Sequence, residues 1–243
     1  VYFNEFNILM GSTTYFPLVS GLLRAFAESR EIIVKNYQFM PFLFCMDSPD
    51  SILAQYDNPS VAAFSVSSWN EQLNLKVAKE VKLRRPRCLV VFGGPQIPHN
   101  PKEYFGTYSF IDVSVRGEGE EAFSNILERY LISLDFSELA GVSWRNLKTG
   151  AIIHNSEEQP FNRNLDYYPS PYLSGLYEDL MANNPNNEFQ AIIETNRGCP
   201  FLCTFCYWGK GGLSRKYRFH GLDRVFGELE WCADHKIRYV FNA

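Results

Sequence analysis

The stretch Ala191-Ile192-Ile193-Glu194-Thr195-Asn196-Arg197-Gly198-Cys199-Pro200-Phe201-Leu202-Cys203-Thr204-Phe205-Cys206 decides the reading of this chain. A strand-like apolar run, Ala191 to Ile193, leads into three cysteines at spacing C-x3-C-x2-C. A [4Fe–4S] cluster normally takes four protein ligands, usually thiolates. Three thiolates leave one iron open, and an open iron can bind a further molecule. A zinc site usually matches one C-x2-C pair with a second pair. Here Cys45, Cys88 and Cys232 stand singly. Cys88, between a helix pattern and a strand pattern, and Cys232, near the apolar face of a helix, read as core thiols. A disulfide framework is not needed by a chain of this size.

Working outward, the residues before this loop alternate short apolar runs with helical patterns. Phe6–Met10, Ile32–Tyr37, Val61–Val66, Leu89–Phe92 and Ile111–Val115 read as strands. Leu18 to Ala27 reads as a helix with Leu18, Leu22, Leu23 and Phe26 on one face. Leu73, Val77 and Val81 mark a second helix, which Pro86 stops, and Phe123, Ile126, Leu127, Tyr130 and Leu131 mark a third. This alternation predicts an α/β fold with a doubly wound, Rossmann-like parallel sheet over residues 1–138. Ligands on such sheets bind beyond the carboxyl ends of the strands.

Those ends are polar or glycine-rich. They carry Thr13 and Thr14, then Ser65, Ser67, Ser68, Trp69 and Asn70, then Gly93, Gly94, Pro95 and Gln96, then Arg116, Gly117, Glu118, Gly119, Glu120 and Glu121. Glycines let backbone approach a flat, bulky ligand. Neither G-x-G-x-x-G nor G-x4-G-K-S/T occurs, and the acidic run repels a phosphate. A neutral, amide-rich ligand fits these loops better.

With the cysteine loop downstream, the pattern resembles the cobalamin-binding class of radical S-adenosylmethionine (SAM) enzymes. The pieces that carry the resemblance are the Ser65–Asn70 turn, the segment from Arg85-Pro86 to Gly93-Gly94-Pro95, Arg116-Gly117-Glu118-Gly119-Glu120, and the cysteine loop with Phe205 directly before its last cysteine. It implies a [4Fe–4S] cluster on Cys199, Cys203 and Cys206, SAM on the open iron with Phe205 near its adenine, and cobalamin on the strand-end residues from Thr13 to Gly119 named above. It also implies methyl transfer to an unactivated carbon by way of a deoxyadenosyl radical and methylcobalamin. A rearrangement or ring contraction with the same cofactors, or an RNA-modifying radical SAM protein without cobalamin, are the other readings. One departure matters. The D-x-H-x2-G motif, whose histidine binds cobalt in many cobalamin proteins, is absent from Phe42–Asp50, which holds no histidine. Cobalamin without a protein histidine ligand is therefore implied. Trp69 then either covers the lower cobalt face or packs on a neighbouring helix.

Residues 139–188 read as a linker with a hairpin, Val142–Arg145 against Ala151–His154, and with an exposed loop from Met181 to Glu188. His154 reads as a surface residue. Residues 189–243 read as the opening of a radical SAM β/α barrel, with Leu222, Val225, Phe226, Leu229 and Ala233 lining one face of its helix. Gly211-Gly212 is not the glycine motif for the SAM amino group, which belongs after the next barrel strand. Lys210, Arg215, Lys216 and Arg218, with Tyr217 and Phe219 between, form a basic cluster that reads as a solvated loop or as a contact for RNA, a reductant or an anionic substrate.

The chain opens at Val1 and stops at Ala243, just after a strand-like run, so a fragment of a longer enzyme is expected. A net charge of −4 gives no global case for nucleic acid. No apolar run is of membrane-spanning length, and a cytoplasmic protein is expected, which suits reduced thiols. The expected partners are a small-molecule or peptide substrate and a flavodoxin- or ferredoxin-type reductant.

Overall fold

The computed structural model describes residues 1–157, 159, 161–201, 203–206 and 217–243. Five parallel strands belong to the larger sheet: β1 (Tyr2–Asn7), β3 (Leu43–Cys45), β4 (Val61–Ser65), β5 (Leu89–Gly93) and β6 (Val113–Val115). Their spatial order is β3-β1-β4-β5-β6, the doubly wound order in which the chain reverses direction beside its first strand. Val61 and Ala63 pack into one core, Ala62 and Phe64 into the other, so the middle strands are buried on both faces. Helices α1 (Leu18–Glu28), α2 (Glu31–Asn36) and α6 (Glu120–Ile132) belong to one layer, where α1 packs on α6. Helices α3 (Pro49–Leu53), α4 (Glu71–Arg84) and α5 (Lys102–Thr107) supply the apolar residues of the opposite layer.

Three expectations are corrected here. Ile32–Tyr37, read as a strand from its β-branched run, lies in α2 and the extended residue that ends it. Only Ile33 of that helix is buried, while Ile32 and Val34 face solvent. A place on the helical layer beside α1 and α6 outweighs β-propensity, which is a weak determinant. The second parallel strand is Leu43–Cys45 instead. Next, the hairpin β7 (Val142–Arg145) and β8 (Ile152–His154), expected within a linker, extends the larger sheet antiparallel to β6. Last, the segment expected to be a loop from Met181 includes the end of helix α7 (Leu176–Asn183).

A second sheet has the order β12-β9-β2, all parallel: β2 (Thr13–Tyr15), β9 (Glu188–Ile193) and β12 (Val240–Asn242). β9, the helix α8 (Leu222–Asp234) and β12 form the expected opening βα unit of a barrel. On the apolar face of α8 Leu222, Phe226 and Leu229 are exposed, while Glu228, Trp231 and Cys232 are buried. An aromatic cluster joins the two sheets into one core. Phe16 stacks on Tyr177 at 4.6 Å and on Phe189 at 4.7 Å, and Tyr172 meets Trp231 at 5.1 Å. Cys88 and Cys232 are buried, and burial pushes their thiols up to about 12 and about 11.

Glu5, on β1, accepts from the backbone N–H of Ser20 at 2.6 Å and of Val19 at 3.4 Å in the first turn of α1. Burial raises its carboxyl from an ordinary value of 4.5 to about 7, against the lowering effect of those bonds. A folded value above the unfolded one means a contribution to stability that is whole below the unfolded value and fades as pH rises through about 7. Glu5→Gln should therefore gain on the wild type by roughly 2–3 kcal/mol between pH 5 and pH 8. Urea unfolding of both proteins at the two pH values measures this; a pH-independent difference would contradict it. Among the described residues no helix is long and apolar enough to cross a membrane.

Candidate functional site

The strand-end loops converge as the topology requires. Asn70 organises the point where the sheet reverses. Its side chain accepts from the Ser67 N–H at 2.8 Å and donates to the carbonyls of Phe6 and Ser65, so it ties β1 to β4 rather than capping α4. Asn74 donates to the Ser65 carbonyl and to the Asn70 side-chain oxygen. The loop after β4 is bound to the loop after β5: the Val66 N–H donates to the Gly93 carbonyl at 2.7 Å, and the Gln96 N–H to the Val66 carbonyl. Gly94 has φ +113°, and a Cβ there would sit 2.5 Å from the Val66 carbonyl oxygen. The close approach admits glycine alone.

Beyond this framework Ser68, Trp69, Gly94, Pro95, Gln96 and Gly117 are exposed, Ser65, Gly93, Glu118 and Gly119 are partly buried, and Ser67 is buried. Trp69 is 58% exposed. Ile8, Leu9 and Met10, after β1, are exposed as well. These three were read as the end of a strand. Their exposed apolar surface is what an uninterrupted apolar run disguised as strand in the sequence.

Thr13, Thr14 and Glu118 take part in contacts within the fold. Thr13 and Thr14 belong to β2, paired with Glu188 and Phe189 in the smaller sheet. Thr14 is fully buried. Glu118 has both carboxylate oxygens engaged, one by Arg197 at 3.2 Å and the other by Arg218, which leaves its backbone for any ligand.

The cysteine loop begins after β9 and is closed at its base by a short antiparallel pair, β10 (Asn196–Arg197) with β11 (Arg218–Phe219). Cys199 and Cys206 are partly exposed, Cys203 is exposed, and Phe205 is 90% exposed. All three thiols are free. Among the described residues no three His, Cys, Asp or Glu side chains are gathered to hold one metal ion. A cubane does not require that gathering, because each thiolate binds its own iron. Three accessible thiols on one short loop fit that donor chemistry.

Arg197 anchors the loop. Its guanidinium meets Glu194 at 2.8 Å, Glu118, and Glu120, and lies 5.3 Å from the Tyr168 ring centroid. Burial disfavours its charge, but Glu120, Glu194 and Glu118 outweigh this and hold it firmly protonated. Burial likewise opposes the Glu194 carboxylate, yet bonds from His220 and Arg197 keep it below the usual range. Arg218, expected in a solvated basic cluster, is buried against Glu118 and the Asn162 carbonyl. Lys210, Gly211, Gly212, Arg215 and Lys216 lie outside the described residues. His154 is an exposed strand residue, as expected, and shares its ring nitrogen with Ser143 and Arg116.

No family model matches the chain. It is 37% identical over 244 residues to the 2-(S-pantetheinyl)-carbapenam-3-carboxylate methyltransferase of Streptantibioticus cattleyicolor, which covers 99% of this chain and 35% of that protein. It is 37% identical over 230 residues to the cobalamin-dependent radical SAM methyltransferase TokK of Streptomyces tokunonensis, covering 93% of this chain and 33% of that protein. The chain belongs to the cobalamin-binding radical SAM enzyme family. It spans about a third of the length of these curated relatives. The fold agrees: the cobalamin-dependent SAM radical enzyme OxsB superposes over 100% of this chain and 33% of its own with a TM-score of 0.76 at 16% identity.

Proposed function

We propose that this chain is the cobalamin-binding and cluster-bearing part of a radical SAM methyltransferase acting on an unactivated carbon. The observation that carries the reading is the meeting of two loop systems. The Glu118–Glu120 turn at the carboxyl end of the larger sheet touches Arg197, two residues before the first cysteine. When bound, the cluster and SAM supply a radical generator and cobalamin supplies the methyl group.

The chain's own residues hold and orient these groups. Cys199, Cys203 and Cys206 would bind three irons of a [4Fe–4S] cluster, and the exposed Phe205 would lie against the SAM adenine. Gly93, Gly94, Pro95 and Gln96, with Ser65, Ser67 and Ser68, would receive the corrinoid where backbone lies open. Ile8, Leu9 and Met10 would keep water from its apolar edge, and Trp69 would cover the lower cobalt face. The substrate would be a small molecule or peptide, and a flavodoxin- or ferredoxin-type protein in the cytoplasm would supply electrons. An RNA-binding alternative loses support, because Arg218 of the basic cluster is committed to Glu118.

The test is an absorption and Co(II) spectrum of anaerobically purified protein supplied with cobalamin and reconstituted with iron and sulfide. Stoichiometric cobalamin with no histidine nitrogen on cobalt is expected. Nitrogen hyperfine splitting traced to a histidine would refute the proposed ligation, and absence of cobalamin binding would refute the reading itself.

A further inference from the structure

Arg197 and Arg218 stand directly opposite each other across the two-residue ladder that closes the cysteine hairpin. Like charges facing across an antiparallel pair repel. Glu118 resolves the conflict by giving one carboxylate oxygen to each arginine. Glu120, almost fully buried, adds a second contact to Arg197. Glu118 comes from the turn between β6 and α6 and Glu120 is the first residue of α6, both at the carboxyl end of the larger sheet. Glu194, on the hairpin's own side, completes the ring around Arg197. Further along, His220 bonds Asp166 at 2.8 Å, and Asp166 also accepts from the Gly221 N–H at 2.9 Å.

Buried ion networks are poor sources of net stability, since desolvation offsets much of the attraction. They do fix geometry, because a guanidinium fork accepts carboxylates only in set directions. This network lies in neither apolar core. It joins one end of the larger sheet to the base of the loop on the other sheet.

We propose that Glu118 and Glu120 are positioning residues: by clamping Arg197 and Arg218 they close the cysteine hairpin and set the cluster-bearing loop at a fixed distance from the corrinoid-binding strand ends. The distance part rests on the cofactor reading above; the closing of the hairpin does not.

Glu118→Gln and the double variant Glu118→Gln/Glu120→Gln keep shape and remove charge. Glu31→Gln, in an exposed pair with Lys35, serves as control. In cofactor-free protein, backbone hydrogen exchange over residues 194–199 and 217–221 should quicken at least about tenfold in the double variant, with Val61–Ser65 and Leu89–Gly93 unchanged. In reconstituted protein, cobalamin and iron contents should stay at wild-type levels. The magnetic coupling between Co(II) and the reduced cluster should lose its single distance, and turnover should fall by roughly 10²-fold, as misplacement near 1 Å does. Unchanged exchange in the folded double variant overturns the clamp. Exchange that quickens equally through the whole larger sheet also overturns it, since that is general destabilisation. If the double variant does not fold, Glu118→Gln alone is read by the same exchange criterion. Wild-type protein without cobalamin or iron would sink the cofactor reading, while the exchange result still decides the hairpin's closure.

Discussion

Replacing Cys199, Cys203 and Cys206 together by Ala should abolish iron binding. Each is accessible and free, and together they present the three thiols of one short loop after a parallel strand. Cys45, Cys88 and Cys232 should be dispensable for iron. Cys88 and Cys232 sit inside packed cores, where burial holds their thiols protonated at neutral pH. Buried in apolar cores, they are closed to an iron–sulfur cluster. Their replacement by Ala should cost on the order of 1 kcal/mol each, the scale of one buried apolar group. Iron and sulfide analysis after anaerobic reconstitution decides it. Full iron content in the triple variant would overturn the ligand assignment, and loss of iron in Cys88→Ala or Cys232→Ala folded protein would do the same.

The readable parts of this molecule were those where local chemistry is unambiguous. The three-cysteine spacing, the apolar strands at Val61 and Leu89, and the helix marked by Leu73, Val77 and Val81 all stand where sequence places them. The failures have physical causes. Ile32-Ile33-Val34 satisfies a strand by propensity, yet lies in a helix that buries a single one of the three. Ile8-Leu9-Met10 continues an apolar run past the end of β1, so exposed residues have the pattern of a buried strand. Thr13–Tyr15 is three residues long and pairs with a strand about 175 residues later in the chain. No local pattern announces such a partner. Glu118 reads in sequence as part of an acidic run that repels a phosphate and Arg218 as part of a basic cluster; only the fold reveals that they pair.

Trp69→Ala should leave the fold almost untouched and change the cobalt. The side chain is 58% exposed, so its loss should move stability by no more than about 0.5–1 kcal/mol, the range of surface substitutions. A core tryptophan would cost about 3–5 kcal/mol. Its neighbours do the structural work: Asn70, directly after it, ties the β1 and β4 ends together, and Ser67, two residues before it, is buried. The loop therefore carries an indole outward on a rigid base. With no histidine in Phe42–Asp50 to approach cobalt from below, an apolar ring at this place is suited to keep water off the metal. Its removal should admit water or buffer ligands, shift the Co(II) spectrum, and slow methyl transfer by roughly 10–100-fold, the usual scale for disturbing the shell around a metal. Melting temperature and Co(II) spectrum of the one variant, measured side by side, separate the roles. A large stability loss with an unchanged spectrum would end the shielding assignment. A shifted spectrum at wild-type melting temperature would place Trp69 over the cobalt, where a rigid loop end, and not a packed helix, decides the metal's coordination.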